Sequence, residues 1–158
     1  MIRLATGDDQ PAIIELIDTV LREYGDRIFL DDADADLLNI PAHYFAGGGS
    51  FWVLEMSGRV AGTHATLPDP DTPGICRFRR LYLDPALRGT GYGHELMQLT
   101  IDWARQRGFH QVQFWSDTRF SRAHRFFEKF GFRRDGRTRA MTDGFEPYEE
   151  YFFSLDLG

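Results

Sequence analysis

The strongest constraint on this chain is a run of alternating glycines between a predicted strand and a predicted helix. The strand covers Ile75–Leu83, which is rich in apolar and aromatic residues, and a periodic helical pattern covers residues 94–107. Gly89, Gly91 and Gly93 stand between them, where the absence of a Cβ lets backbone N–H groups turn sharply and approach a ligand. Amides that converge at a helix N-terminus attract anions, and the helix dipole adds to this attraction. The stretch therefore predicts a cradle for a phosphate group.

Two common phosphate-binding motifs do not fit these residues. A dinucleotide fingerprint has its third glycine one position later, where this chain has His94, and needs an acidic residue about 20 residues further on. That region holds Gln111 and Gln113 instead. A P-loop requires a lysine directly after its last glycine, and the only lysine of the chain is Lys129. Neither a dinucleotide site nor a P-loop is expected.

The same residues resemble the R-x-x-G-x-G signature of the GCN5-related N-acetyltransferases, the GNAT family. Arg88 begins this motif, which continues through Gly91 and Gly93. The likeness extends upstream through residues 80–85 and resumes at residues 123–132, which are similar to the family's A-x-x-[FL]-Y-x-x-x-G-F motif. Two motifs in the right order, with the flanking strand and helix pattern, extend the resemblance over the whole chain.

The resemblance implies a fold, a cofactor and a set of binding residues. The fold is a single α/β domain of the GNAT type, with a mixed, mostly antiparallel sheet, helices on both faces and two central strands that splay apart around acetyl-CoA. The predicted acetyl-CoA-binding residues are Leu81, Tyr82, Leu83, Arg88, Gly89, Thr90, Gly91, Tyr92, Gly93, His124 and Phe127. The implied reaction is direct acetyl transfer to an amine, with a backbone N–H of Tyr82 or Leu83 polarising the thioester carbonyl.

Composition and charge agree with one small enzyme domain over residues 1–158. Hydrophobic residues make up 42% of the 158-residue chain and aromatic residues 15%, which is enough for a substantial core. The net charge of -6 argues against nucleic acid as a partner, and no signal pattern or membrane-spanning apolar run is present. The single cysteine, Cys76, fits a reducing cytoplasm. We expect a cytoplasmic protein without membrane or nucleic-acid partners, and homodimers are common in the family that it resembles.

The remaining pattern predicts the elements around this centre. An apolar stripe at helical spacing runs from Ile13 to Tyr24, and Ser57–Gly58 marks the turn of a hairpin between two strands. Residues 132–134 and 149–157 are expected to form closing antiparallel strands.

Three arginines lie in the strand before the cradle. Strict alternation places Arg77 and Arg79 on one face and Arg80 on the other, together with Phe78 and Tyr82. In the histone-acetylating branch of the GNAT family, a glutamate base occupies the position that matches Arg77. The resemblance therefore supplies no base at this position.

A short acidic run follows the first predicted helix. It contains Asp31, Asp32, Asp34 and Asp36. One interpretation is a solvated acidic loop or helix start. The other is an electrostatic attraction for a cationic amine, because this segment helps to form the acceptor site in GNAT proteins.

The catalytic residues are less well defined by the sequence than the cradle. The family often has a tyrosine, the acid for the leaving thiolate, where this chain has Phe127, and a phenyl ring cannot perform that role. His64, near the end of a strand, and Asp117, which follows another strand, are the candidates for starting removal of the amine proton, with water as the competitor. Cys76 is expected to be a buried structural thiol.

Two functions from different classes fit these observations. The first is an acetyl-CoA-dependent N-acetyltransferase that acts on a small-molecule or peptide amine. The alternative is a CoA-binding regulatory module without catalysis, which the residues at positions 77 and 127 favour. A polyamine, an amino-acid derivative, an aminoglycoside-like compound and a protein terminus all remain open as acceptors.

Overall fold

The computed structural model describes every residue from Met1 to Gly158. The strands are β1 (Ile2–Leu4), β2 (Ser50–Met56), β3 (Arg59–Pro68), β4 (Ile75–Leu83), β5 (Gln111–Asp117), β6 (Arg133–Met141) and β7 (Tyr148–Asp156). The helices are α1 (Gln10–Arg22), α2 (Tyr92–Gln106) and α3 (Ser121–Lys129). All strands belong to one sheet in the order β1-β2-β3-β4-β5-β7-β6. No helix combines the length and the apolar composition that crossing a membrane requires.

Helices cover both faces of this sheet because two separate apolar clusters form on it. Ile13, Ile17 and Leu21 of α1 recur at helical spacing and pack with Phe51 and Val53 of β2. The cluster on the opposite face combines residues of α2 and α3 with the central strands. It contains Cys76, Phe78, Met97, Ile101, Ala104, Val112, Phe114, Phe127, Phe132, Phe153 and Leu157. The predicted α/β architecture is confirmed.

The centre of the sheet contains its one parallel pair, β4 and β5. These strands are hydrogen-bonded only where Ile75–Arg77 lies beside residues 111–113. Beyond this point β4 continues to Leu83 and β5 continues to Asp117, but the two strands no longer form hydrogen bonds with each other. Each pairs only with its outer neighbour, β4 with β3 and β5 with β7. A cleft therefore opens between the carboxyl-terminal halves of β4 and β5.

A β-bulge in β4 changes which side chains share a face. Arg80 has a φ of 61°, and the register with β3 shifts between Thr63 and Ala65. Because the extra residue reverses the alternation, Tyr82 packs against the α1-side cluster and Leu81 against the cluster on the other face. The prediction that Arg80 and Tyr82 share a face with Phe78 was therefore wrong.

The hairpin prediction is confirmed, and the last strand was predicted to within one residue at each end, whereas the prediction for β6 was too short. Ser57 and Gly58 join β2 to β3 with positive φ angles of 52° and 74°, as a tight two-residue hairpin turn requires. Strand β6 runs to Met141 rather than ending near residue 134. Nearly all of its side chains are exposed, so the apolar alternation that marks a strand is absent.

Candidate active site

The cleft between β4 and β5 brings together residues from five strands, β3 to β7. Leu81 and Tyr82 line it from β4, Trp115 and Ser116 from β5, and Glu150 from β7. Three of the residues predicted to bind acetyl-CoA, Leu81, Tyr82 and Phe127, are therefore in the cleft wall. The cradle lies outside this wall, after the end of β4.

The cradle presents unpaired amides at the start of α2. Gly89 and Gly91 have φ angles of 77° and 92°, which residues with a Cβ rarely adopt. Within the protein, no hydrogen bond is formed by the backbone N–H groups of Gly89, Gly91, Tyr92, Gly93 and His94. These donors, at the positive end of the α2 dipole, form an anion site of the kind that a pyrophosphate needs.

Arg88, at the edge of the cradle, is held by a residue from the end of α1. Its Nη1 donates to Glu23 Oε2 at 2.9 Å, and its Nη2 contacts the other carboxylate oxygen. The hydrogen bonds with this guanidinium lower the pKa of Glu23. A phosphate that binds Arg88 must therefore compete with the Glu23 carboxylate.

A buried ion-pair cluster fixes the bulge of β4. We call Arg80, Asp34 and Asp36 the bulge cluster, in which the side chains are 7%, 10% and 5% exposed. Arg80 Nη1 donates to Asp34 Oδ1 at 2.7 Å, and Arg80 Nε donates to Asp36 Oδ2 at 3.1 Å. Thr63 Oγ1 donates to the Arg80 carbonyl at 2.8 Å. These contacts hold a non-glycine residue in a strained conformation at the edge of the cleft.

The bulge cluster corrects both interpretations of the acidic run for two of its four residues. Asp34 and Asp36 are neither solvated nor available to attract a cation, because both are buried and paired with Arg80 inside the protein. Burial alone would raise the pKa of Asp36, but the charge and hydrogen bonds of Arg80 more than offset burial, and this pKa lies below its usual value. Only Asp31 and Asp32 are exposed.

His64 lies at the inner end of the cleft and is fully packed. Its Nδ1 is 3.0 Å from Thr100 Oγ1, and its ring packs edge-on against Phe78. Burial lowers the pKa of His64 to about 3, so the imidazole is neutral and weakly basic. Burial likewise raises the pKa of the Cys76 thiol to about 12. Both groups are therefore poorly suited to exchanging protons at neutral pH.

Asp117 lines the cleft as predicted, but its carboxylate is engaged. Arg119 Nη2 donates to Asp117 Oδ2 at 2.6 Å, and Arg119 Nε donates to the other oxygen at 3.0 Å. The same guanidinium binds Asp26 at 2.7 Å. This arrangement ties the end of β5 to the segment after α1. The catalytic roles assigned to His64 and Asp117 stay predictions.

Glu150 is a residue of the cleft that the sequence analysis missed. It lies opposite Asp117 in the β5–β7 pair, and its side chain is only 14% exposed. Arg139 Nε donates to Glu150 Oε1 at 2.8 Å. Burial raises the pKa of Glu150, and the nearby Asp117 and Asp143 carboxylates add to the increase. A carboxylate with a raised pKa in a cleft has the properties of a general base.

His124 and Phe127, both predicted to bind acetyl-CoA, are buried on α3. Phe127 lines the cleft and packs against Phe114 with ring centroids 4.8 Å apart. His124 stands behind the cleft wall, where its Nε2 is 3.1 Å from Ser116 Oγ. Burial lowers the pKa of His124. Ser116, which the sequence analysis did not select, lines the cleft and directs its hydroxyl group to His124.

The sequence around this site matches a known family. Residues 13–132 match the Acetyltransferase (GNAT) family, a range that includes the cradle, the bulge and α3. The chain belongs to the GNAT family. The predicted family is therefore confirmed.

Relatives of this GNAT protein include N-acetyltransferases from several organisms. The uncharacterized N-acetyltransferase YjgM of Escherichia coli is 30% identical over 136 residues, which cover 84% of this chain and 81% of that protein. The N-acetylaspartate synthetase of Danio rerio is 30% identical over 140 residues, which cover 84% of this chain. The chain covers 49% of that longer relative.

Solved structures show the same GNAT fold. A GNAT acetyltransferase of Staphylococcus aureus has a TM-score of 0.85 at 20% identity, with 100% of this chain and 99% of that chain covered. A putative acetyltransferase of Salmonella typhimurium, yncA, solved with acetyl-CoA, has a TM-score of 0.77 at 23% identity, with 100% and 94% covered. The predicted enzyme class is confirmed, as is acetyl-CoA as the cofactor of the family.

Proposed function

We propose that this GNAT protein transfers the acetyl group of acetyl-CoA directly to the amine of a small molecule or peptide. The observation that carries the proposal is the cleft between β4 and β5, which combines a backbone bulge with the half-buried carboxylate of Glu150. A binding module without catalysis needs the cradle alone, whereas acetyl transfer also needs a group in the cleft that can accept the proton of the amine.

The residues of the chain fit acetyl-CoA. The unpaired amides of residues 89, 91, 92, 93 and 94 would bind its pyrophosphate, and the backbone of Leu81, Tyr82 and Leu83 would hold the pantetheine arm. Bound there, acetyl-CoA supplies a thioester, an acyl group already activated for attack by an amine. β4 is not paired with β5 beyond Arg77, which supports a backbone N–H of residues 81–83 that is available on the cleft side for polarising the carbonyl.

Glu150 takes the proton that the amine must lose. Transfer replaces the C–S bond of the thioester by a C–N bond, and the departing thiolate takes a proton from water. An alkylamine has a pKa of about 10.4 and is almost entirely protonated at neutral pH, so deprotonation is the harder proton transfer. Arg139 contacts only Oε1 of Glu150, whereas Arg119 donates to both oxygens of Asp117 and His64 is fully buried. Its second oxygen and its raised pKa make Glu150 the better base of the three.

The test measures CoA release from acetyl-CoA over a panel of amines. Glu150→Gln is expected to lower kcat roughly 10²- to 10⁴-fold, the contribution of a positioned acid or base, with little change in the KM for acetyl-CoA. Glu149→Gln, at the exposed neighbouring position, is the matched control and should retain wild-type kcat. Wild-type kcat in the Glu150 variant would reject Glu150 as the base.

The same assay separates catalysis from the alternative function. Tight CoA binding without CoA release for any amine would favour the regulatory module. A homodimer and a cytoplasmic location stay predictions from the sequence.

A further inference from the structure

Arg79 is a cation in the cleft wall that makes no hydrogen bond within the protein. Its side chain is 35% exposed, and it lines the cleft from β4, directly before the bulge. The nearest carboxylate oxygen is Asp36 Oδ2, 3.8 Å from Arg79 Nη1, which is beyond hydrogen-bond distance. A planar guanidinium in the wall of a cleft, with all of its N–H donors available, is suited to binding the carboxylate of a ligand.

Asp36 cannot satisfy Arg79 because other groups occupy its oxygen atoms. Arg80 donates to both oxygens, and the Tyr44 hydroxyl donates to Oδ2 at 2.5 Å. The bulge causes this arrangement, since it turns two consecutive arginines towards one carboxylate and only Arg80 forms hydrogen bonds with it. The Asp36 carboxylate therefore offsets the charge of Arg79 but accepts no hydrogen bond from it, and the N–H donors of Arg79 stay available.

A second arginine extends the cationic part of the cleft. Arg77, two residues before Arg79 on the same strand, donates to Asp69 through Nε at 3.2 Å and keeps its terminal nitrogens free of hydrogen bonds. The part of the cleft around β6 and β7 carries two carboxylates, Asp143 and Glu150, and one arginine, Arg139, which pairs with Glu150, so acidic groups are in excess there. The cleft thus has a cationic wall on β4 and an acidic wall around β7.

We infer that Arg79 binds an anionic group of the acceptor, so that the acceptor is an amino acid or another small amine that carries a carboxylate. The inference rests on the proposed function, because it names the acceptor class of the same cleft. The carboxylate pairs with the guanidinium of Arg79, and the ammonium group is directed to the acidic wall. A polyamine would place a second positive charge against Arg77 and Arg79, and its binding is disfavoured.

The pyrophosphate of CoA is not the partner of Arg79. Leu83 is the fourth residue after Arg79, at most about 13 Å away along the strand, and the cradle follows beyond Leu83. The amides of the cradle serve that phosphate, so the anion at Arg79 comes from a different molecule.

The experiment compares matched acceptors in the CoA-release assay. The panel contains amino acids, the carboxamides of the same amino acids, and diamines of equal length. Wild-type protein is expected to acetylate the best amino acid with a kcat/KM at least tenfold above that of its carboxamide. Arg79→Gln is expected to reduce this ratio at least tenfold, and Arg79→Lys is expected to restore part of it. Arg133→Gln, an exposed arginine of β6, is the control that should leave the ratio unchanged.

A binding measurement separates recognition from turnover. Titration of the best amino acid into protein saturated with CoA should give a Kd at least tenfold higher for Arg79→Gln than for Arg133→Gln. Preference for carboxamides or diamines, or an unchanged ratio in Arg79→Gln, would overturn the inference and leave acetyl transfer intact. Failure of every amine to release CoA would overturn the proposed function, and the inference with it.

Discussion

Replacing Arg80 with Met should destabilise the protein by about 3–5 kcal/mol, the cost of leaving buried carboxylates without their partner. The magnitude follows from the bulge cluster, in which Arg80, Asp34 and Asp36 have side chains no more than 10% exposed. Whole domains are stable by about 5–15 kcal/mol, so the variant should remain folded by a narrow margin. Urea unfolding at pH 7, followed by tryptophan fluorescence, measures the loss.

The pH dependence provides a second measure of the same effect. In the native protein the pKa of Asp36 is below its unfolded value, so its stabilising contribution is present above the unfolded pKa and is lost as pH falls through the folded pKa. Without Arg80, burial raises the folded pKa of Asp36, and protonation then relieves the cost of burying a charge. The difference in unfolding free energy between wild type and variant should therefore shrink as pH falls from 7 to about 4.

Two further variants make this reasoning refutable. Arg133→Met removes an arginine whose pair with Asp156 is largely exposed, and should change stability by no more than about 1 kcal/mol. Adding Asp34→Asn and Asp36→Asn to the Arg80 variant removes the stranded charges and should recover part of the loss. If Arg80→Met lowers the free energy of unfolding by no more than Arg133→Met does, the bulge cluster does not hold β4 in place.

Two predictions concern the cradle. Gly91→Val should raise the Kd of acetyl-CoA at least roughly tenfold, about 1.4 kcal/mol. Gly91 has a φ of 92°, and the new side chain would project from a residue whose N–H is unpaired. A wild-type Kd measured by calorimetry would show that the cradle does not bind acetyl-CoA. Glu23→Gln should lower the Kd of CoA, most strongly at low salt, because it releases Arg88 from its carboxylate partner. A Kd that rises, or that does not change with salt, would show that Glu23 does not compete with phosphate.

The cradle was predictable from the sequence because its physics is local. Consecutive residues supply the strand end, the glycines and the helix start, so the turn at Gly89 and Gly91 could be predicted before any tertiary contact was known. That these residues bind phosphate stays a prediction. The same holds for the turn at Ser57–Gly58. In motifs of this type, a few consecutive residues determine the backbone geometry.

The bulge cluster was not predictable because its partners are distant in the chain. Arg80 lies 46 residues from Asp34 and 44 from Asp36, and nothing in the acidic run indicates where its counter-charge is located. The bulge also reverses the alternation of side chains along β4. A prediction based on strict alternation therefore placed Arg80 and Tyr82 on the wrong face of the sheet. Glu150 was not predicted for a related reason. It is buried because β7 pairs with both β5 and β6, and this pairing is not visible in the residues around position 150.

The bulge cluster bears on attempts to redesign this protein. The segment of residues 26–45 contributes Asp26, Arg27, Ala33 and Asp34 to the lining of the cleft. It would therefore be the natural segment to transplant from a relative in order to change acceptor preference. Asp34 and Asp36 belong to that segment, whereas Arg80 does not. A donor segment without equivalent acids would strand a buried guanidinium in the recipient, so the segment and position 80 have to be exchanged together.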